Sequence, residues 1–292
     1  MTTSLNNGYY PTCDGHLVYW ERHGTPGTEP IFFLHGGPGG CSSRHHLEFF
    51  DLLGYDIVLF DQRGCGRSHP HGELRHNNTR LCVEDIDSLR RHLGFEKISL
   101  LGVSWGSWLA IQYQQRYPQA VLNTTLVSIF VPFSTNVSAY DQTLSDGLVG
   151  VSNGVEGCNA QEIYQTLSHG CPIQQRQAAM HWSRAIWQLN GQSMRQRALE
   201  DFVNEEAVRA IRLELHYHIN QYFFTQAHEV LSLDSNTRVI QGIKDSFGMA
   251  SLRWLRERVD IQCRLLNAGH NALDGTVLKA IRRSLKRDRY DG

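Results

Sequence analysis

The feature that most constrains this chain is an apolar strand pattern that runs directly into a glycine-flanked turn and then a helix. Residues 97–101, KISLL, have the length and character of a buried strand, and residues 102–106, GVSWG, follow at once. The next segment, to about residue 117, has the apolar spacing of a helix. A turn this tight predicts that Ser104 sits at its apex with an exposed hydroxyl group. The alternative is an ordinary serine in a loop between a strand and a helix.

Comparable apolar runs precede and follow this unit. Residues 31–34 (IFFL), 56–60 (DIVLF) and 121–129 are typical of buried strands, and the helical period of residues 83–93 ends at Gly94. Continuous apolar strands that alternate with helices are typical of a parallel sheet covered on both faces. The sequence therefore predicts the α/β class, with a mostly parallel central sheet and helices on both of its faces.

The middle of the chain has a different character. Residues 133–231 are polar, rich in glutamine and helical in pattern, whereas strand-like segments resume at 237–241 and 261–266. A helical block between strands of one sheet is best explained as an inserted cap domain. We therefore predict a core domain formed by residues 1–132 and 232–292, and a helical cap formed by residues 133–231 over the strand ends.

Composition excludes several classes of function. The 292 residues carry a formal net charge of −1, with 41% hydrophobic and 20% charged residues, which is typical of a globular enzyme and implies neither a nucleic-acid nor a membrane partner. We expect the basic residues of 282–289 to form the solvated face of a last helix. The seven cysteines form no CxxC pair, and no signal peptide or membrane span is evident, so reduced thiols and a cytoplasmic location are predicted.

A serine nucleophile needs a base, and the base needs an acid that orients it. Asp245 follows the strand-like segment 237–241, and His270 follows the segment 261–266. The carboxyl ends of parallel strands meet at one edge of a sheet, so these two residues are predicted to join Ser104 in a catalytic triad. Asp234 and Asp260 are weaker candidates for the acid because each precedes its strand.

The glycine-rich segment 35–40, HGGPGG, follows the first of the predicted strands. Its backbone is free to turn N–H groups toward the serine, and we predict that the N–H groups of Gly37 and Trp105 form an oxyanion hole. His35 is interpreted as a structural residue that fixes this loop.

Histidines of the helical block do not suggest a metal. His216 and His218 form an HxH pair whose side chains lie on different faces of a helix, and adding His228 completes no known ligand spacing. We predict neither a metal nor a cofactor.

Together these motifs resemble those of prolyl iminopeptidases. HGGPGG at 35–40, DQRGCGRS at 61–68 and GVSWGS at 102–107 are similar to the family's HGGPGG, DQRGxGRS and GxSWGS motifs, and the similarity spans about residues 15–118. It returns at 212–217, RLELHY, where the family has RIENHY. The resemblance implies the α/β-hydrolase fold, a serine mechanism, and removal of a proline or similar small residue from the N-terminus of a peptide.

The same resemblance implies how a substrate is held. In that family two glutamates of the cap bind the free α-amino group of the substrate. Glu214 matches one of them, whereas Gln188 stands where the other is expected, and residues 241–245, QGIKD, replace the family's HGRYD. These differences leave open an esterase or amidase that acts on a small-molecule intermediate of specialised metabolism. A catalytically silent binding protein of the same fold is a further alternative; the oligomeric state is not predicted.

Overall fold

The computed structural model describes residues 4–133, 159–189, 195–224 and 233–287. The chain divides into two compact units, one formed by Met1–Val131 with Thr225–Gly292 and the other by Pro132–Phe224. We call them the sheet unit and the helical unit. The first boundary adjoins the predicted one at residues 132/133, whereas the second predicted boundary, at 231/232, lies within residues 225–232, outside the described residues.

The sheet unit contains an eight-stranded sheet in the order β1-β2-β4-β3-β5-β6-β7-β8. β1 pairs antiparallel with β2 and β2 antiparallel with β4, and every later pairing is parallel. The strands are β1 Asn6–Pro11, β2 Leu17–Gly24, β3 Glu29–Leu34, β4 Tyr55–Phe60, β5 Ile98–Val103, β6 Val121–Val127, β7 Thr237–Gly242 and β8 Gln262–Leu266. The mostly parallel sheet predicted from the apolar runs is confirmed.

The first two strands are the part of the sheet that the apolar runs do not reveal. β1 is exposed or half-buried along its whole length, so its sequence lacks the signal of a buried strand. β2 buries Val18 and Trp20, with the exposed Leu17 and the half-buried Tyr19 on either side of Val18, so its first half shows the alternation expected of a strand near the border of a sheet. A period of two, rather than a continuous apolar run, is the signal that identifies it.

Four helices of the sheet unit lie in its described part: α1 Thr79–His92, α2 Trp105–Arg116, α7 Ser246–Arg256 and α8 Gly275–Arg287. Residues on one face of the sheet, such as Phe33, Leu59 and Ile240, pack against Ile281 and Leu285 of α8 in a single core. Phe32, Val58 and Leu100 alternate with that set and are equally buried, so the sheet is covered on both faces.

The helical unit has its own core. In its described part the helices are α3 Ala160–His169, α4 Pro172–Leu189, α5 Gln196–Phe202 and α6 Glu205–Ile219. Trp182, Leu199 and Leu215 are buried together at its centre. Asn204 begins α6 by accepting a hydrogen bond from the Ala207 N–H at 2.9 Å, the usual role of asparagine at this position.

Six of the seven cysteines lie in the described ranges. The cysteines in the described ranges are free thiols. Among the helices of those ranges, none combines the length and hydropathy needed to cross a membrane. On α8, Arg282 and Arg283 are exposed opposite the buried Ile281 and Leu285, so the basic stretch is a solvated helix face as far as it is described.

Candidate active site

The turn around Ser104 is held by contacts that only glycine permits. Ser104 lies between β5 and α2 with φ 53° and ψ −121°, a conformation that L-residues rarely adopt. A Cβ atom on Gly106 would overlap the carbonyl oxygen of Leu34, and one on Gly102 would overlap the carbonyl oxygen of Gly106. Close backbone packing therefore imposes a conformation that costs about 1–3 kcal/mol at Ser104.

The structure brings Ser104, His270 and Asp245 together. His270 Nε2 lies 2.9 Å from Ser104 Oγ, and His270 Nδ1 lies 2.7 Å from Asp245 Oδ2. Asp245 follows β7 and His270 follows β8, as predicted, and both are next to the carboxyl end of β5. With Nδ1–H donating to Asp245, Nε2 is left to accept the proton of the serine hydroxyl.

Asp245 is nearly enclosed, and each of its oxygens accepts at least one hydrogen bond. Its side chain is 4% exposed, against 27% for His270. Oδ1 accepts from the Gly248 N–H at 2.9 Å, because Asp245 is the first residue before α7, and Oδ2 accepts from the Gln241 amide at 2.9 Å. Burial raises the pKa of this carboxyl, but the hydrogen bond and charge of His270 and the other two donors outweigh it, so the net pKa is lowered.

Gln241 is a member of this site that the sequence analysis did not identify. It is fully buried at the end of β7, where its Nε2 donates to Asp245 and its Oε1 accepts from the Ile129 N–H at 2.9 Å. It thereby ties the acid to the chain after β6. The signal in the sequence is a neutral amide next to the end of an otherwise apolar strand, which by itself indicates no chemistry.

The glycine-rich loop lies against the serine. A Cβ on Gly36 would be 3.3 Å from the Cβ of Ser104, and Gly37 has φ 131°, which favours glycine. Trp105 is the first residue of α2, where the helix N–H groups point toward the N-terminal end. Trp105 follows the serine directly and Gly37 follows Gly36, which lies against the serine; the role of both N–H groups stays a prediction.

His35 fixes this loop, as its interpretation as a structural residue predicts. It is buried, its Nδ1–H donates to Gly36 O at 2.8 Å, and its Nε2 accepts from the Gln62 N–H at 3.0 Å. The Gln62 side chain in turn donates to His35 O at 2.9 Å and accepts from the Trp105 indole N–H at 3.0 Å. Burial lowers the pKa of His35, so the ring is neutral and serves as a fixed brace between three motifs.

The segment 61–68, DQRGCGRS, is held in place by ion pairs and charged hydrogen bonds. Asp61 Oδ1 accepts from the N–H and hydroxyl of Ser42 at 2.7 and 2.6 Å, and its Oδ2 accepts from the N–H and Nε of Arg67 at 2.9 and 2.8 Å. Arg63 forms a two-point ion pair with Asp85 of α1 at 2.7 and 2.6 Å. Buried charges need such complete pairing, and it holds the segment beside the glycine-rich loop.

Glu214 lies on α6 in the helical unit, away from any salt bridge among the described residues. Burial of its carboxyl raises the pKa to about 7, and the indole of Trp182 and the charge of His218 offset that effect only in part. Trp182, His218 and Tyr222 form a cluster beside it, in which the Trp182 and His218 rings lie 5.7 Å apart and His218 Nδ1 lies 3.3 Å from the Tyr222 hydroxyl. The role of Glu214 in binding the substrate amine stays a prediction.

The remaining residues considered in the sequence lie away from the triad in sequence or in separate environments. Gln188 lies in the last turn of α4, and its side chain is outside the described residues, as is His228. His216 packs on the ring of Phe223 at 5.4 Å, whereas His218 faces Trp182, so the HxH pair has two different environments. Within the described ranges, no group of three or more potential ligands is arranged to hold a metal. Asp234 and Asp260 precede β7 and β8.

Comparisons with known proteins agree with this architecture. Residues 29–205 match the model of the alpha/beta hydrolase fold family. The chain is 30% identical to a proline iminopeptidase of Neisseria gonorrhoeae, over 95% of this chain and 94% of the relative. It is also 32% identical to a proline iminopeptidase of Xylella fastidiosa, over 91% of this chain and 85% of the relative.

Solved structures show the same fold. The crystal structure of a proline iminopeptidase-related protein from Thermus thermophilus superposes with a TM-score of 0.65 at 22% identity, covering 96% of this chain and 97% of that one. An esterase from Exiguobacterium antarcticum superposes with a TM-score of 0.66 at 16% identity, covering 97% of this chain and 100% of that one. The sequence matches and the fold together identify the chain as a member of the α/β-hydrolase family, related to the proline iminopeptidases.

Proposed function

We propose that this chain is a serine hydrolase of the prolyl iminopeptidase type, which cleaves the amide bond after a small N-terminal residue such as proline. The observation that carries the proposal is the continuous hydrogen-bond path from Ser104 through His270 to Asp245, at 2.9 and 2.7 Å. The strained turn at Ser104 and the relationship to proline iminopeptidases support it.

The mechanism follows from the geometry of these groups. Ser104 Oγ attacks the substrate carbonyl while His270 Nε2 takes its proton, and Asp245 stabilises the imidazolium that forms. N–H groups of Gly37 and Trp105 stabilise the negative oxygen of the tetrahedral intermediate. His270 then protonates the leaving amine, and water hydrolyses the acyl-enzyme by the same steps in reverse.

Recognition of the N-terminus is assigned to Glu214. An ammonium group removed from water needs a nearby anion, and the ionised form of Glu214 supplies one in a largely apolar cluster. Bound ammonium favours that ionised form, so the pKa near 7 falls when the substrate binds. The resemblance to the family supports this assignment, and the half-buried position of the residue among the aromatic rings of the helical unit agrees with it.

The direct test compares wild type with Ser104→Ala on proline and alanine β-naphthylamides. We expect wild type to hydrolyse both and the variant to lose about 10⁴–10⁶-fold in kcat. A fluorophosphonate probe should label wild type and leave the variant unlabelled. Equal hydrolysis by the two proteins, or no labelling of wild type, would exclude Ser104 as the nucleophile.

The second candidate is an esterase or amidase that does not need a free amine. Gln188 in place of a second carboxylate favours it, as does a Glu214 pKa near 7, which leaves about half of that group uncharged at neutral pH. N-acylated proline β-naphthylamide and p-nitrophenyl esters separate the candidates. An aminopeptidase requires the free amine, whereas an esterase hydrolyses the acylated and unacylated substrates equally well.

A further inference from the structure

A cleft of about 680 Å³ lies away from Ser104, where β7 and β8 meet α8. β8 ends the sheet, and most of its residues are exposed, unlike those of β3, β4 and β5. α8 packs on the core beside β7, and the cleft opens where β8 continues the sheet beyond it. All of the residues that line the cleft belong to the sheet unit.

Three arginines line this cleft from three different elements. Arg238 belongs to β7, Arg264 to β8 and Arg283 to α8. Arg264 pairs with Ile240 in the parallel ladder, and Arg238 lies two residues from Ile240, so both arginines share the sheet face that meets α8. Arg264 and Arg283 are exposed to solvent, which leaves their guanidinium groups accessible to a ligand.

The other polar groups of the cleft are neutral. Gln262 and Ser284 line it beside the arginines, and none of its eight described lining residues is acidic. Arg238 donates to the Ser284 carbonyl at 3.3 Å, which holds that guanidinium against α8. Three positive charges without an acidic group among these lining residues create a local positive potential in a protein whose net charge is −1.

We propose that this cleft binds a multivalent phosphate anion of the pyrophosphate class. Guanidinium groups bind phosphate oxygens in a two-point geometry, and a single carboxylate would be satisfied by one arginine alone. Three arginines spread around a cleft of this size fit two linked phosphoryl groups, to which Gln262 and Ser284 add neutral donors. The proposed substrate carries an ammonium group and does not fit this site, so the cleft is independent of the proposed reaction.

The position of the cleft gives the bound anion a structural consequence. β7 and β8, which supply two of the arginines, continue into the segments that carry Asp245 and His270, and α8 follows His270. A bound anion would contact β7, β8 and α8 at once. These are the elements that precede Asp245, precede His270 and follow His270, respectively. Because the anion binds only the folded protein, it raises the thermal midpoint as its concentration rises.

The test is titration of the full chain with pyrophosphate at constant ionic strength, by calorimetry and by thermal unfolding. We expect saturable binding at one site per chain and a rise in Tm. The Arg264→Gln/Arg283→Gln variant should lose at least about tenfold in affinity, because two of three charge-assisted contacts are removed. Its hydrolytic activity and circular dichroism spectrum should equal those of wild type, since both side chains are exposed.

The matched control is Arg75→Gln/Arg253→Gln, which removes the same charge at two positions outside the cleft. We expect it to bind pyrophosphate as wild type does. Absence of saturable binding to wild type would overturn the proposal. Equal loss in the two double variants would overturn it as well, since it would assign the binding to net charge alone.

Discussion

Each unit of this protein contains a carboxyl group largely removed from water, buried at Asp245 and half-buried at Glu214, and the two groups have opposite electrostatic environments. Asp245, in the sheet unit, accepts from His270, Gln241 and the Gly248 N–H, and its net pKa is lowered despite burial. Glu214, in the helical unit, has the Trp182 indole and His218 as its neighbours, and burial raises its pKa to about 7. One carboxylate is stabilised by the protein itself, whereas the other has no matching salt-bridge partner in the described part of the chain.

In the proposed function, this difference separates the residue of the chemistry, Asp245, from the residue of recognition, Glu214. A carboxylate that orients a base must be ionised before the substrate arrives, and the three donors around Asp245 ensure that it is. A carboxylate that recognises a substrate cation gains selectivity when the protein leaves it incompletely paired, because only the correct ligand then completes the pairing. Substitutions at the two carboxyl groups should therefore differ in the size and kind of their effects.

The largest effect is expected at Asp245. In Asp245→Asn the amide no longer stabilises the imidazolium and favours the wrong tautomer of His270, so kcat should fall by about 10⁴-fold. Steady-state kinetics on proline β-naphthylamide measure it. Asp260→Asn is the control, since Asp260 is exposed before β8, and it should retain wild-type kcat. A fall of similar size in both variants would contradict the assignment of the acid.

A smaller effect, confined to recognition, is expected at Glu214. Glu214→Gln removes the anion that binds the substrate amine, so KM for proline β-naphthylamide should rise about 10–100-fold. KM for an N-acylated substrate or an ester should stay the same. Glu206→Gln, an exposed position on the same helix, should leave every constant unchanged. An unchanged KM for the free amine in Glu214→Gln would remove the proposed anchor.

The smallest effect is on stability and depends on pH. The pKa of Glu214 is raised in the folded state, from 4.5 to about 7, so the wild type loses stability as pH rises between these values. Gln carries no charge to bury. Glu214→Gln should therefore equal wild type in this respect well below pH 4.5 and exceed it by about 2 kcal/mol at pH 6, since the cost to the wild type grows by about 1.4 kcal/mol per pH unit between the two pKa values. Urea unfolding at several pH values measures the difference, and a difference that does not change with pH would contradict the raised pKa.

Much of the sheet could be predicted because its central strands are dominated by apolar residues. β3, β4 and β5 each carry a largely apolar run, since both faces of the sheet are covered there. β1 could not be predicted in this way, because its residues are largely exposed and Asn6, Asn7 and Gly8 are poor strand formers. It forms a strand because β2 offers it a partner along its full length.

The candidate site also contains residues that could be predicted from the sequence and residues that could not. Ser104, Asp245 and His270 are placed by their positions just after strands, a rule of topology that can be read from the chain. Gln241 could not be found, because its role depends on the distance of its amide from Asp245 and Ile129, which the sequence does not contain. The raised pKa of Glu214 likewise depends on burial by side chains of other helices.

The conformation of Ser104 bears on how a chain like this one changes over generations. Glycine adopts φ 53° and ψ −121° without the strain that serine carries, so Ser104→Gly would relax the turn. If selection acted on folding alone, it would favour that replacement. A protein that keeps serine at this position is less stable than one with glycine there. The retained serine therefore argues against a catalytically silent, ligand-binding protein.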